Sequence, residues 1–199
     1  MPDQTPPLAP ELAPRRPRAD ATRNRVRVSD AAVEVFAEKG LVATVADVAR
    51  RADVGNATVF RHFPTKADLL SEVAGRWFET WSADVAAYLE EDRDDTLRVL
   101  LAEVMERFRR DRFALDALWG EDFDDRMRQA REELLRRFGV ALDRAVGAGL
   151  VAPDVTLDDL ALLVLGLASR LSALGDADRA SWQRAGRFAW AAIARQDSV

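Results

Sequence analysis

The feature that most constrains this chain is the run Thr44 to Lys66, TVADVARRADVGNATVFRHFPTK. It reads as two short helices joined by a tight turn, with a third helix opening as the run closes. Thr44 followed by Asp47 has the spacing of a capping box, in which the threonine oxygen and the carboxylate satisfy helix-start amides that lack an intrahelical partner. Val45, Val48, Ala49 and Ala52 recur at i, i+3, i+4 and i+7, so they form one apolar stripe. Ala52-Asp53-Val54-Gly55 breaks that helix, and Asn56 to Phe63 spans barely two turns. Phe63-Pro64 then stops the chain, because a residue before proline avoids the α region. Thr65 with Asp68 repeats the capping-box spacing and launches a longer helix.

Helix, turn, helix on this scale places a second helix in the DNA major groove. On that helix Val59 and Phe63 are expected to point inward, leaving Asn56, Thr58, Arg61 and His62 outside. Such a set hydrogen-bonds to base edges and phosphates: Asn56 suits adenine bidentately, the Thr58 methyl suits thymine, and Arg61 reaches guanine. Lys66 opens the next helix, where its ammonium and the helix-start amides can face one phosphate. Spacing alone leaves a second reading open, an ordinary helical corner with solvated polar residues.

From about Arg23 to Leu70, a quarter of the chain, the residues resemble the TetR family of bacterial transcriptional regulators. The matching positions run Val28-Ser-Asp-Ala31-Ala32, Val35-Phe36-Ala-Glu-Lys-Gly40, Thr44, Asp47-Val48-Ala49, Ala52-Asp53-Val54-Gly55 and Thr58-Val59-Phe60-Arg61-His62-Phe63-Pro64-Thr65-Lys66. The resemblance implies an all-α chain of about nine helices: a three-helix DNA-binding head and a larger helical domain for effector binding and dimerisation. It implies backbone contacts by Thr44, Arg61, His62 and Lys66. Asp53 stands where the family usually has glycine, so it must accept or avoid a positive φ. Phe60 stands where the family usually has tyrosine, which removes a hydroxyl contact to phosphate. Asn56 and Ala57 occupy variable positions of the recognition helix, so the operator sequence cannot be borrowed.

Composition narrows the alternatives. At 199 residues with 48% apolar residues and ten glycines, the chain can bury a real core. It has no cysteine and one histidine, which argues against disulfides and structural zinc, and no cofactor is expected. No secretory signal is visible, and the longest apolar run, Leu160 to Ser169, is half a membrane span, so the expected location is cytoplasmic, with no membrane partner. Residues 15–66 hold eleven Lys/Arg against six Asp/Glu, whereas 67–199 hold eighteen against twenty-six. A basic module beside an acidic remainder suits one end that approaches phosphate.

Six of eight prolines lie in the first seventeen residues, so residues 1–20 read as a disordered Pro/Arg-rich arm. Arg23 and Arg25, in the basic run that follows, are candidates for the DNA backbone or a minor groove. The head is expected over 21–67, with a first helix Ala21 to Lys39, and the effector and dimerisation domain over 68–199. Further helices are expected from Thr65 to about Glu91, along the Leu97–Phe108 stripe, from Phe113 to Trp119, from Phe123 to near Gly147, from Leu157 to Leu174 and from Asp178 to Arg195.

Family members commonly bind a small molecule among the helices of the larger domain. Here Trp77, Trp81, Leu101, Met105, Phe108, Trp119, Phe123 and Met127 are the candidate lining, which would favour a mostly apolar effector; as aromatics at helical spacing they serve equally well as plain core. The helix after Leu157 is apolar on nearly every side and needs cover all round, most easily from a partner subunit. In the family the last two helices pair across a dimer, which makes Leu163, Gly166, Leu167, Arg170, Trp182, Ala185, Phe188, Ala189 and Ala192 interface candidates. The expected activity is that of a homodimer on a near-palindromic operator in double-stranded DNA, a repressor released by its effector. A structural DNA-binding protein without effector, or a helical enzyme or lipid carrier with a vestigial motif, are the competing readings. No nucleophile or acid/base constellation is apparent, so no catalysis is expected.

Overall fold

The computed structural model describes residues 17–91, 93–119 and 124–195. Nine α-helices follow one another: α1 (Pro17–Lys39), α2 (Val45–Arg51), α3 (Asn56–His62), α4 (Lys66–Glu90), α5 (Thr96–Arg110), α6 (Arg112–Trp119), α7 (Asp125–Gly147), α8 (Leu157–Ala173) and α9 (Arg179–Ile193). A single 3-10 turn, Gly40–Val42, links α1 to α2. No strand occurs among the described residues; one isolated bridge, Val151 with Ala194, ties the end of α9 to the loop before α8.

α1 begins at Pro17, four residues earlier than the periodicity of its apolar face indicates. Proline suits a helix's first position, where its missing N–H has no partner to lose. The rest of the expected arm, Met1 to Arg16, lies outside the described residues, as does Phe123. All three expected capping boxes form: Thr44 with Asp47, Thr65 with Asp68, and Thr156 with Asp159, each exchanging both bonds. Caps of this kind contribute about 1 kcal/mol each. Asp53 takes φ 52°, the only positive value at a non-glycine among the described residues. Aspartate is among the few residues that visit this region, at some cost relative to glycine.

The head is α1–α3, closed over Val28, Ala32, Phe36, Val48 and Val59. Arg51 fastens α2 to α1 with one guanidinium nitrogen on Glu34 and another on Glu38, each at 2.7 Å. Arg27 donates to the Ala52 carbonyl oxygen at 2.7 Å and so closes the far end of α2. In the body α4 packs along α7, and α5 along α9. The α5/α9 approach is close because of Gly186: a Cβ there would stand 3.4 Å from the Leu101 carbonyl oxygen.

The head meets the body through α1, which touches both α4 and α6. Phe36 of α1 packs on Phe113 of α6 with ring centroids 5.8 Å apart. On the α4 side, buried Ser29 donates to Glu72 and accepts from Arg76, which also pairs with Asp30.

Candidate nucleic-acid interface

The helix-turn-helix is positioned by its own core. Val59 and Phe63 are buried beneath α3, so the helix turns its other side outward. That side carries Asn56, Ala57, Phe60 and Arg61, all exposed, with Thr58 and His62 half-buried beside them. Phe60 is 46% exposed, an apolar ring kept at the surface with no hydroxyl. Within the described residues the side chains of Asn56 and Arg61 make no hydrogen bond or ion pair, so their donors remain available.

The other candidate contacts are engaged inside the molecule. Arg25 pairs with Glu72 at 2.8 Å, donates to the His62 carbonyl oxygen and lies 4.6 Å from the centre of the Phe63 ring. It therefore braces α1 against α4 and the end of α3, and a phosphate would have to draw it from Glu72. Arg23 pairs with Asp20. The Thr44 hydroxyl donates to Asp47 Oδ2 while accepting from the Asp47 amide. Asp47 also takes Lys39 at 2.7 Å and Arg50. The Lys39 bond, then those from Thr44, hold the Asp47 carboxyl far below the usual carboxylate range.

Lys66 lies at the first position of α4, and its Nζ donates to the Leu41 carbonyl oxygen at 2.7 Å. An ammonium has three donors, so this bond fixes the side chain without exhausting it. From the other side, α6 brings Asp116 against the same turn, its Oδ2 3.4 Å from where a Cβ on Gly40 would stand. Burial raises the Asp116 carboxyl, and the Leu41 amide opposes that rise.

The body holds an apolar cavity that overlaps the candidate lining in part. It measures about 60 Å³ and opens between α7 and the first turns of α8. Of the candidate lining, Trp81, Leu101 and Phe108 border it, joined by Val104, Leu118, Leu134, Leu135 and Phe138 and by five residues of α8. Trp77, Met105 and Met127 are instead packed in the core away from that lining. Trp77 meets Trp81 edge-on at 4.8 Å; its indole N–H is directed at Asp111 without closing a hydrogen bond. Asp111 caps α6 by accepting from Phe113 and Ala114, and burial raises its carboxyl. The side chain of Trp119 lies outside the described set. The missed signal was α8 itself: Leu157, Leu160, Ala161, Val164 and Leu165 all line the cavity, and Leu160 and Val164 are buried along with Ala168.

The third side of α8 faces outward. Leu162 is 72% exposed, Gly166 and Arg170 are exposed, and Leu163 and Leu167 are half-buried. On neighbouring α9, Phe188 is 60% exposed and Ala192 is exposed. Trp182, Ala185 and Ala189 correct the expected interface: all three are buried within the protomer, because α9 turns that stripe toward its own body. Trp182 is further held by its Nε1 donating to the Asp176 carbonyl oxygen.

A helix-turn-helix with a solvent-facing second helix, carried on an all-helical body, is the arrangement of DNA-binding transcriptional regulators. Residues 28–73 match the family model described as bacterial regulatory proteins, tetR family. The chain is similar to the crystal structure of a TetR transcription regulatory protein from Mycobacterium vanbaalenii, with 29% identity and a TM-score of 0.60 over 89% of this chain and 99% of that one. The same fold recurs in a TetR regulator from Haloarcula marismortui (19% identity, TM-score 0.66, covering 87% and 100%). It recurs also in a transcriptional regulator FadR from Bacillus subtilis solved in complex with stearoyl-CoA (17%, 0.60, covering 84% and 98%). No curated protein matches. The head thus carries the tetR-family match, and the chain as a whole has the fold of TetR-family transcriptional regulators.

Among the described residues no helix is long and apolar enough to cross a membrane, and no cluster of three metal-ligating side chains occurs.

Proposed function

We propose that this chain works as a homodimer that binds a near-palindromic operator and represses transcription until a small apolar effector enters the body. The observation that carries the reading is the outer side of α3, where Asn56 and Arg61 stand exposed with their donors uncommitted. Asn56, Ala57, Thr58 and Arg61 read bases, while His62, Lys66 and Thr44 position the head on phosphates. Dimerisation covers the outward side of α8 and α9, where Leu162 and Phe188 are too exposed for a chain acting alone. Two heads then meet the duplex one helical turn apart, about 34–36 Å.

The effector site is the cavity between α7 and α8. At about 60 Å³ it holds only part of a hydrocarbon chain, so entry requires α8 to part from α7. A ligand that binds the parted state better draws the dimer away from its DNA-competent spacing. A structural relative bound to stearoyl-CoA supports an apolar tail as the occupant. The small cavity also favours a second reading, DNA binding without an effector.

Selection from a randomised duplex pool tests the proposal. A recovered motif with two inverted half-sites one turn apart is the expected result; recovery of unrelated sequences contradicts it. Asn56→Ala should change preference at one base pair within each half-site, and an unchanged motif removes that role.

A further inference from the structure

The Gly40–Val42 turn is gripped from two directions. α6 presses on it from the body: a Cβ at Gly40 would stand 3.4 Å from Asp116 Oδ2 and 3.5 Å from Arg112 Cβ. Gly40 also has φ +64°, the left-handed conformation that favours glycine. From the start of α4, Lys66 Nζ holds the Leu41 carbonyl oxygen at 2.7 Å, while Asp116 lies beside the Gly40–Leu41 backbone on the other side. One short turn thus has Asp116 of α6 on one side and a DNA-contact candidate on the other. α6 has a further property: Leu118, two residues beyond Asp116, is part of the cavity wall.

We infer that Asp116 is a positioning residue for Lys66, acting through Leu41, so that the placement of α6 sets the reach of the head's lysine toward phosphate. The assignment rests on the DNA-binding reading above. Asp116 touches no DNA itself; it fixes where the Leu41 carbonyl lies, and that carbonyl orients the ammonium. An occupant that pushes on Leu118 moves α6, the Leu41 turn and Lys66 together, which gives the cavity a short physical route to the interface. The route needs no change in α3.

The chain's composition makes the test unusually clean, because Lys39 and Lys66 are its only lysines. Trace acylation of the full chain with acetic anhydride, read by mass spectrometry, reports the reactivity of Lys66 relative to Lys39, which Asp47 holds. Asp116→Ala should raise that ratio at least about 3-fold, and Asp116→Asn, which keeps an acceptor oxygen, should restore it. On a duplex recovered by selection, Asp116→Ala should weaken binding by about 5- to 10-fold, but by less than about 2-fold when Lys66 is already alanine, because the two act in series. A ratio unmoved by Asp116→Ala overturns the assignment, and so does an equal loss of affinity with and without Lys66. If Asp116→Ala does not fold, Asp116→Ser provides the same comparison. If the wild-type chain binds no duplex, the DNA-binding reading fails and the labelling ratio alone decides whether Asp116 positions Lys66.

Discussion

The head and the body of this molecule are built on different principles. The head is small and basic, and its α2 and α3 have only seven residues each; the Thr44 capping box, a left-handed Asp53, a guanidinium fork and a thin apolar core hold them against α1. The body is acidic and longer-helixed, with most of its aromatics, yet its packing stays incomplete beside α8. Polar geometry fixes the part that must present the same face to DNA every time. Apolar packing, which tolerates displacement more readily than a hydrogen-bonded cap does, makes the part able to change.

The largest test of that contrast lies where the two regions meet. Phe36 is fully buried in the head and packs on Phe113 of the body. Phe36→Ala should cost about 3–5 kcal/mol of stability, read by urea unfolding, and should release head and body as separate transitions. A single unfolding transition with a loss below about 1 kcal/mol would mean that the ring joins nothing essential.

Two body glycines sharpen the picture next. Gly186→Val forces a side chain against the Leu101 carbonyl and should cost about 1–3 kcal/mol in thermal unfolding. Gly166 has nothing within 4 Å of its would-be Cβ, so Gly166→Ala should stabilise the isolated protomer by up to about 1 kcal/mol. If Gly166→Ala instead weakens self-association in sedimentation equilibrium, a partner helix approaches that position.

Within the head, Lys66→Ala should weaken binding to every duplex sequence alike and lower the logarithmic salt slope by about one. An unchanged slope removes the ammonium from the phosphate contacts. The smallest effect concerns the turn: Asp53→Gly should raise stability by about 0.5–1 kcal/mol by relieving the positive φ, with DNA affinity unaltered. No gain in the melting temperature would show that aspartate bears that conformation without strain.

The head was the more legible region because its constraints are local. Capping boxes at Thr44 and Thr65, the burial of Val59 and Phe63 and the exposure of Asn56 and Arg61 all follow from spacings of three or four residues. What spacing could not reveal is competition for charge. Arg25 reads as a basic residue near DNA, but Glu72, forty-seven positions away, engages it only once α1 and α4 cross. The body was less legible for the same reason. Trp77, Met105 and Met127 share helical period with true cavity residues, and only the placement of α7 and α8 separates lining from core. Trp182, Ala185 and Ala189 share α9 with the exposed interface candidates Phe188 and Ala192, but α5 covers their side of the helix.

Sedimentation velocity of the full chain with a selected duplex, at low salt, tests the central claim most directly. One complex of two chains per duplex, dispersed as salt rises, is the expected result. A monomer that sediments independently of the duplex would contradict it.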